Sequence, residues 1–448
     1  MNIQAYLNKV FSFSAGIDRH GLLRTGTAMT FNRAIGSLSG IGLAIVLSRE
    51  LGAENYGSYI FALTLVHFLS LPIQMGLPTL LVRQIAIYRS QEDWGHLAGI
   101  VRWSLRFVLL TFCTIGILAS VFYAFVPDAR AQLEDAYLLY AFAFLLVGAL
   151  SFMKIGGAIL SGFERVFWGS LPDGVIRQVL LLLFVLIAIY FVPMTSALVM
   201  ALHVGAVLCA LAWAVFMIVR YCNWNPKASS IPRPRFQSRV WMSSLMPLSL
   251  AFGITLINNN IDIFMLGILI DAKEGIGFYS VAMKVSSIAL IGQSILYTII
   301  SPKVAKHYAA KDMNAIKTIV SYTSKLAFCF TCVAILFLHF FGREIIEFLF
   351  GSDFSSASQL TLIRCYGYAL AAMCGPAIIL LNMTGNERVL VWIVGVMAAL
   401  NALLNFLLIP IYGVEGAALA TSFSVFISHV WMWFKVKKHI GLRSDVFG

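Results

Sequence analysis

The 448 residues are 60% hydrophobic and 12% charged, with a mean hydropathy of +0.86, which excludes a water-soluble globule and places the chain in a bilayer. The formal net charge of +12 is no argument for a nucleic-acid partner, because the cations sit in connections between apolar stretches, where they report orientation. The seven cysteines lie in or beside apolar segments and make no extracellular disulfide framework; Cys329 and Cys332, a C-x-x-C inside an apolar helix, read as packing residues.

Met1 to Arg24 has no short apolar core followed by a small-residue cleavage site, so the first span is expected to be retained. That span, from Thr25 to Leu47, is long enough to cross a hydrocarbon core of roughly 30 Å, yet it contains Asn32 and Arg33. An arginine in the middle of a span is costly, and two readings are open: it snorkels to the headgroups along its own stem, or it faces a wet cavity. Gly36, Ser39, Gly40 and Ala44 recur at helical spacing and mark a close-packing or cavity-lining face.

Further spans start near residues 56, 103, 136, 168, 195, 241, 276, 320, 357, 388 and 414, which makes about twelve. Basic residues gather in alternate connections, among them Arg83, Arg89, Arg102, Arg165, Arg220, Arg233, Arg235, Lys303, Lys306, Arg388, Lys435, Lys437 and Lys438. The opposite connections hold only Arg49, Arg130, Lys273 and Arg343. This bias predicts a multi-pass membrane protein with both termini cytoplasmic. The longest polar connection, rich in arginine and proline, divides the chain. The expected domains are residues 1–222 as an N-terminal six-helix lobe, 223–240 as a basic cytoplasmic linker, 241–438 as a C-terminal six-helix lobe and 439–448 as a cytoplasmic tail. Pro72, Pro78, Pro172, Pro247, Pro302 and Gly375-Pro376 fall inside spans and are expected to loosen or break them.

The two halves repeat each other. Gly57-Ser58-Tyr59-Ile60-Phe61-Ala62 answers Gly277-Phe278-Tyr279-Ser280-Val281-Ala282, and Gly162-Phe163-Glu164-Arg165-Val166 answers Gly385-Asn386-Glu387-Arg388-Val389. Two matches in the same order at corresponding loops imply a duplicated six-span unit. An even number of spans per unit gives both copies one orientation, with a cleft between them.

The charges within spans are Arg33, Lys154, Arg177, Asp262, Lys284 and Arg364, with Asp173 near an end. Cations outnumber acids, which favours an anionic headgroup over a cationic substrate. Asp262 follows the polar run Asn258, Asn259 and Asn260. Either it pairs with Lys284 as a structural ion pair, or the asparagines recognise sugar hydroxyls while Lys284 binds phosphate. Lys154, Arg177 and Arg364 read first as snorkelling or packing cations, with the cavity as their second reading. His67, His203, His339 and His429 are scattered without metal-ligand spacing and read as core or interface residues. The basic, aromatic stretch Trp431 to Lys438 reads as an interfacial anchor touching anionic lipid. Nothing calls for a metal or a cofactor.

The run Arg33-Ala34-Ile35-Gly36 leading to Leu47-Ser48-Arg49-Glu50-Leu51-Gly52-Ala53-Glu54-Asn55-Tyr56-Gly57 resembles the opening of bacterial polysaccharide and O-antigen flippases, members of the multidrug/oligosaccharidyl-lipid/polysaccharide exporter superfamily. The stretches Ile261 to Gly267 with Gly277-Phe278-Tyr279, Phe348 to Gly351, and Asn405 to Pro410 with Gly413 to Ala418 agree in order along the chain. The resemblance implies a V-shaped, all-α fold of two lobes around a central cavity. It implies a non-enzymatic transporter, working by alternating access, for undecaprenyl-pyrophosphate-linked oligosaccharide in O-antigen, capsule or exopolysaccharide biosynthesis, with polysaccharide polymerase machinery as a partner. Arg33 and Lys284 fall where the related lipid II flippases carry cavity arginines. A further arginine of those relatives has no match, Ser39 lying near its place, and their two extra helices are absent, so a surface-polysaccharide repeat unit fits better than a peptidoglycan precursor. The expected substrate-binding set is Arg33, Lys284, Asn32, Asn258, Asn259 and Asp262, then Lys154, Arg177 and Arg364. Two other readings compete: a drug or metabolite cation antiporter of the same superfamily using Asp262, and a membrane polysaccharide polymerase or ligase, against which stands the lack of a long outer loop carrying catalytic groups.

Overall fold

The computed structural model describes residues 19–125, 136–222, 233–270 and 273–447, and side chains from residue 31 onward except those of Arg33 and Ala251. The first eighteen residues and most of the basic linker lie outside the described residues. Everything described is helix, turn or short connection. The helices are α1 (Arg19–Gln74), α2 (Leu77–Ser90), α3 (Trp94–Phe125), α4 (Tyr137–Gly162), α5 (Val166–Leu171), α6 (Arg177–Ala188), α7 (Ser196–Tyr221), α8 (Ser238–Leu269), α9 (Lys273–Ser286), α10 (Ile291–Ala309), α11 (Met313–Phe350), α12 (Ala357–Ala372), α13 (Ala377–Met383) and α14 (Glu387–Ile440).

Among the described residues, nine helical stretches are long and apolar enough to cross a membrane, and the pair α12 and α13, bent by 51° at Gly375-Pro376, makes a tenth. Two of these hold two crossings each. At 1.5 Å per residue a straight α14 would run about 80 Å, well over twice a bilayer core. Instead Gly413, at φ 59° and ψ −132°, breaks it, and Asn401 Nδ2 reaches Thr421 Oγ1 at 3.3 Å, a contact that a straight helix would stretch to about 30 Å. Gly52, at φ 70° and ψ 174°, breaks α1 in the same way. The result is the expected twelve crossings of an all-α, multi-pass membrane protein.

Three of the proline sites act as expected. Chain breaks follow Pro72 at Met75-Gly76 and precede Pro376, while Pro172 opens a π-helical turn, Pro172–Ile176, joining α5 to α6. That turn displaces Asp173 and Gly174 from regular α-geometry and turns the carbonyl of Gly174 against Gly36 of α1. Pro247 and Pro302 are instead accommodated within α8 and α10. The final described residues fold back onto the break between α12 and α13: Ser444 donates from Oγ to the Cys374 carbonyl, and Val446 N–H donates to Met373 O. These bonds satisfy backbone oxygens that the broken helix frees.

The repeated sequences meet in space. A Cβ on Gly57 would fall inside the Lys273 carbonyl, and a Cβ on Gly277 would press on the Ala53 carbonyl. Each glycine therefore meets the residue four positions before the other, and the two halves cross backbone to backbone. Around this crossing Tyr56 and Phe278 both meet Phe354 edge-on, at 5.9 and 5.8 Å between centroids, and Arg49 donates to the carbonyls of Phe348 and Leu349. The halves are thus sealed at the end that carries Arg49 and Lys273. Near the other end α8 bridges them. Its first turns pack on the N-terminal half, with Trp241 Nε1 bonded to Tyr88 at 2.9 Å and Leu248 against Gly76, while Asn405 of α14 reaches its Asp262. The copies of G-x-E-R-V both form turns, but the positive φ falls on Glu164 in the first and on Gly385 in the second.

Candidate substrate cavity

Two adjoining chambers open in the N-terminal half, of about 710 and about 310 Å³, and share Lys154 and Asp173 in their walls. The larger lies among α1, α2, α4 and the π-turn, with Asn32, Thr79, Arg83, Ser161 and Ser170 as its other polar side chains. The smaller reaches the crossing between the halves and is lined by Tyr59, His67, Gln74, Arg177, Gln178 and His203, and by Lys284 of α9. Lys284 is the contribution of the C-terminal half among the described lining residues.

Four cationic side chains, Arg83, Lys154, Arg177 and Lys284, face these chambers against one carboxylate, Asp173. Two of the four, Arg177 and Lys154, are held. Arg177 Nε donates to Asp173 Oδ1 and its Nη1 to His203 Nε2, both at 3.1 Å, and the far side of the imidazole bonds Tyr59 at 3.0 Å. Lys154 Nζ reaches Gln74 Oε1 at 3.4 Å, and Gln74 is fixed in turn by Ser151 at 3.2 Å. Lys284 has no hydrogen-bond or ion-pair partner among the described residues, although its surroundings are largely protein. Positive charge beyond what the carboxylate balances, in a site walled by apolar helices, attracts an anion much more strongly than the same charges would in water.

The structure brings together some expected residues and separates others. Lys284, Lys154, Arg177 and Asn32 line the chambers. The side chain of Arg33 lies outside the described residues. Asn258 and Asn259 are exposed and line neither chamber. Asp262 does not pair with Lys284. It is buried in the C-terminal half, accepting from Tyr279 (2.5 Å), Thr421 (2.6 Å) and Asn405 (2.8 Å), with Arg364 Nη1 at 3.8 Å. Arg364 also donates to Tyr279 at 2.6 Å, Tyr368 at 2.8 Å and Ser286 at 3.2 Å, so it neither snorkels nor meets the cavity; it is the counter-ion of a closed polar core. Asn260, third in the polar run, crosses between the halves to His67 at 3.2 Å. Sequence reasoning missed Arg83, Tyr59 and His203. Arg83 looked like a connection residue because α2 continues past the break at Gly76, and the Tyr59–His203 bond joins residues 144 apart.

The fold defines a class, the all-α, multi-pass membrane protein of the MATE- and MurJ-like kind, and the comparisons agree. A profile of the family described as "Polysaccharide biosynthesis protein" matches residues 22–306, and the MatE profile matches residues 247–407. The chain belongs to the polysaccharide biosynthesis protein family, within the multidrug/oligosaccharidyl-lipid/polysaccharide exporter superfamily. It is 23% identical over 408 residues, 88% of its length and 80% of the relative's, to the probable low-salt glycan biosynthesis flippase Agl15 of Haloferax volcanii. Its fold is similar to the lipid II flippase MurJ in an inward closed conformation (TM-score 0.68, 16% identity, 93% of this chain and 87% of that one). It is also similar to an inward-facing multidrug resistance MATE family transporter (TM-score 0.67, 15% identity, 93% and 98%). By their descriptions these relatives are a probable flippase, a flippase and a transporter.

Proposed function

We propose that the protein is a flippase for lipid-linked oligosaccharide, moving undecaprenyl-pyrophosphate-linked repeat units from the cytoplasmic to the outer leaflet of a bacterial inner membrane for surface polysaccharide biosynthesis. The observation that carries this reading is the excess of cations over carboxylate in the adjoining chambers, with Lys284 supplied across the halves and left without a partner. Lys154, Arg177 and Lys284 take the pyrophosphate, polar groups take the sugars, and the prenyl tail stays in lipid; Arg33 joins this set on the strength of the sequence. The end carrying Arg83, Arg89 and Arg165 faces the cytoplasm, and transport reverses which end is sealed. The headgroup shifts that equilibrium only by binding one state better than the other.

The antiporter reading needs a carboxylate that binds and releases ions. Asp262 already accepts three hydrogen bonds and faces Arg364, which counts against that role. Lys284→Ala and Lys154→Ala are each expected to stop glycan export, with lipid-linked repeat units accumulating on the cytoplasmic face and the protein still inserted. Normal export in both variants would remove the proposed site.

A further inference from the structure

The larger chamber contains a polar atom that the cation cluster does not explain. Asn32 is 5% exposed and donates from Nδ2 to Ser170 Oγ at 2.9 Å. The orientation of the amide is fixed by the next bond in line: the Ser170 hydroxyl gives its proton to the Phe167 carbonyl at 2.9 Å, so its oxygen can only accept from Asn32. This leaves Asn32 Oδ1 buried at the chamber wall without a hydrogen-bond partner among the described residues. Gln178 Oε1, in the wall of the smaller chamber beside Gly40, is a second buried acceptor without one.

An ionised pyrophosphate offers only acceptors, so it has no use for a carbonyl oxygen and is repelled by one. The polar groups of the cavity therefore differ in kind: Arg83, Lys154, Arg177 and Lys284 suit phosphate, whereas Asn32, in the wall it shares with Arg83 and Lys154, requires a donor. We propose that Asn32 Oδ1 accepts a hydrogen bond from the first sugar of the headgroup, from a hydroxyl or an acylamino N–H, making the larger chamber a sugar subsite. The inference rests on the flippase reading above. The chambers share Lys154 and Asp173, so a headgroup with its phosphates at the cations has its nearest sugar beside Asn32. Ser170 acts as a positioning residue, holding the amide so that its oxygen, not its nitrogen, is presented.

The test compares two lipids on the purified full chain in nanodiscs: undecaprenyl pyrophosphate, and the same lipid carrying a single N-acetylglucosamine. Wild type is expected to bind the glycolipid the more tightly. Asn32→Leu should weaken glycolipid binding by about tenfold, the worth of one buried hydrogen bond, and leave the sugar-free lipid unchanged. Ser170→Ala should do the same to a smaller extent, which keeps the test open if Asn32→Leu fails to fold. Lys284→Ala should weaken both lipids alike. Equal wild-type affinity for the two lipids, or equal losses for both in Asn32→Leu and Ser170→Ala, would overturn the sugar subsite and leave the flippase reading standing. Wild type binding neither lipid would remove the flippase reading itself.

Discussion

Lys284 and Asp262 are neighbours in the chain's polar pattern but have opposite surroundings. Lys284 faces the cavity without a partner, while Asp262 is enclosed by Tyr279, Thr421, Asn405 and Arg364. Taking one partner from a buried pair strands the other, at a cost of about 3–5 kcal/mol. Asp262→Ala should therefore lower thermal stability in detergent markedly, whereas Lys284→Ala should leave the melting temperature nearly unchanged. Arg364→Met should destabilise as Asp262→Ala does, and combining it with Asp262→Asn should recover much of the loss, because no uncompensated charge is then buried. Similar melting of Lys284→Ala and Asp262→Ala would show that the two environments do not differ as described. The excess of intramembrane cations was legible in the sequence, since charge in an apolar run needs a reason. Which cation serves which role was not: Ser286 and Tyr279 reach Arg364, and His203 reaches Arg177, from other helices, and no spacing along the chain records those contacts.

Among the elements, the crossing of α1 with α9 is the most tightly specified. Any side chain at Gly57 would occupy the Lys273 carbonyl, so the helices must part to admit one. Gly57→Val is expected to fold and insert but to disfavour the state sealed at the Arg49 end, and a cysteine introduced beside this crossing should become accessible to membrane-impermeant thiol reagents added on the side that the proposed orientation gives that end. Unchanged labelling would mean that the crossing does not hold that end shut. The positions of the crossings were readable from hydropathy because each is an apolar run of bilayer length. Their true extents were not, since α3 and α11 begin several residues before their apolar cores, at Trp94 and Met313. The π-turn at Pro172 was foreseeable only as a weak point, because its shape depends on the close approach of Gly36.

In the whole molecule, the N-terminal half supplies the walls of the chambers and the C-terminal half supplies Lys284 and a rigid polar core. Transport by rocking then requires the Arg49 end to open. Cysteines introduced at Arg49 and Phe348 and joined by a short bis-maleimide should abolish export, while either cysteine alone should not; export surviving the cross-link would argue against motion at this end. Two matched motifs in the sequence suggested twin halves, but the contact between the first matched pair was not readable, because similarity says that two segments share a shape and nothing about whether they touch.

That contact has an evolutionary consequence. Residue 57 meets 273 and residue 277 meets 53, the reciprocal pattern of an isologous interface, in which one patch on a protein meets the same patch on its twin. A single-copy ancestor of six spans dimerising through this surface, before gene fusion joined two copies, would leave this pattern. Co-expressed as separate polypeptides cut within residues 223–232, the halves should still find each other and co-purify.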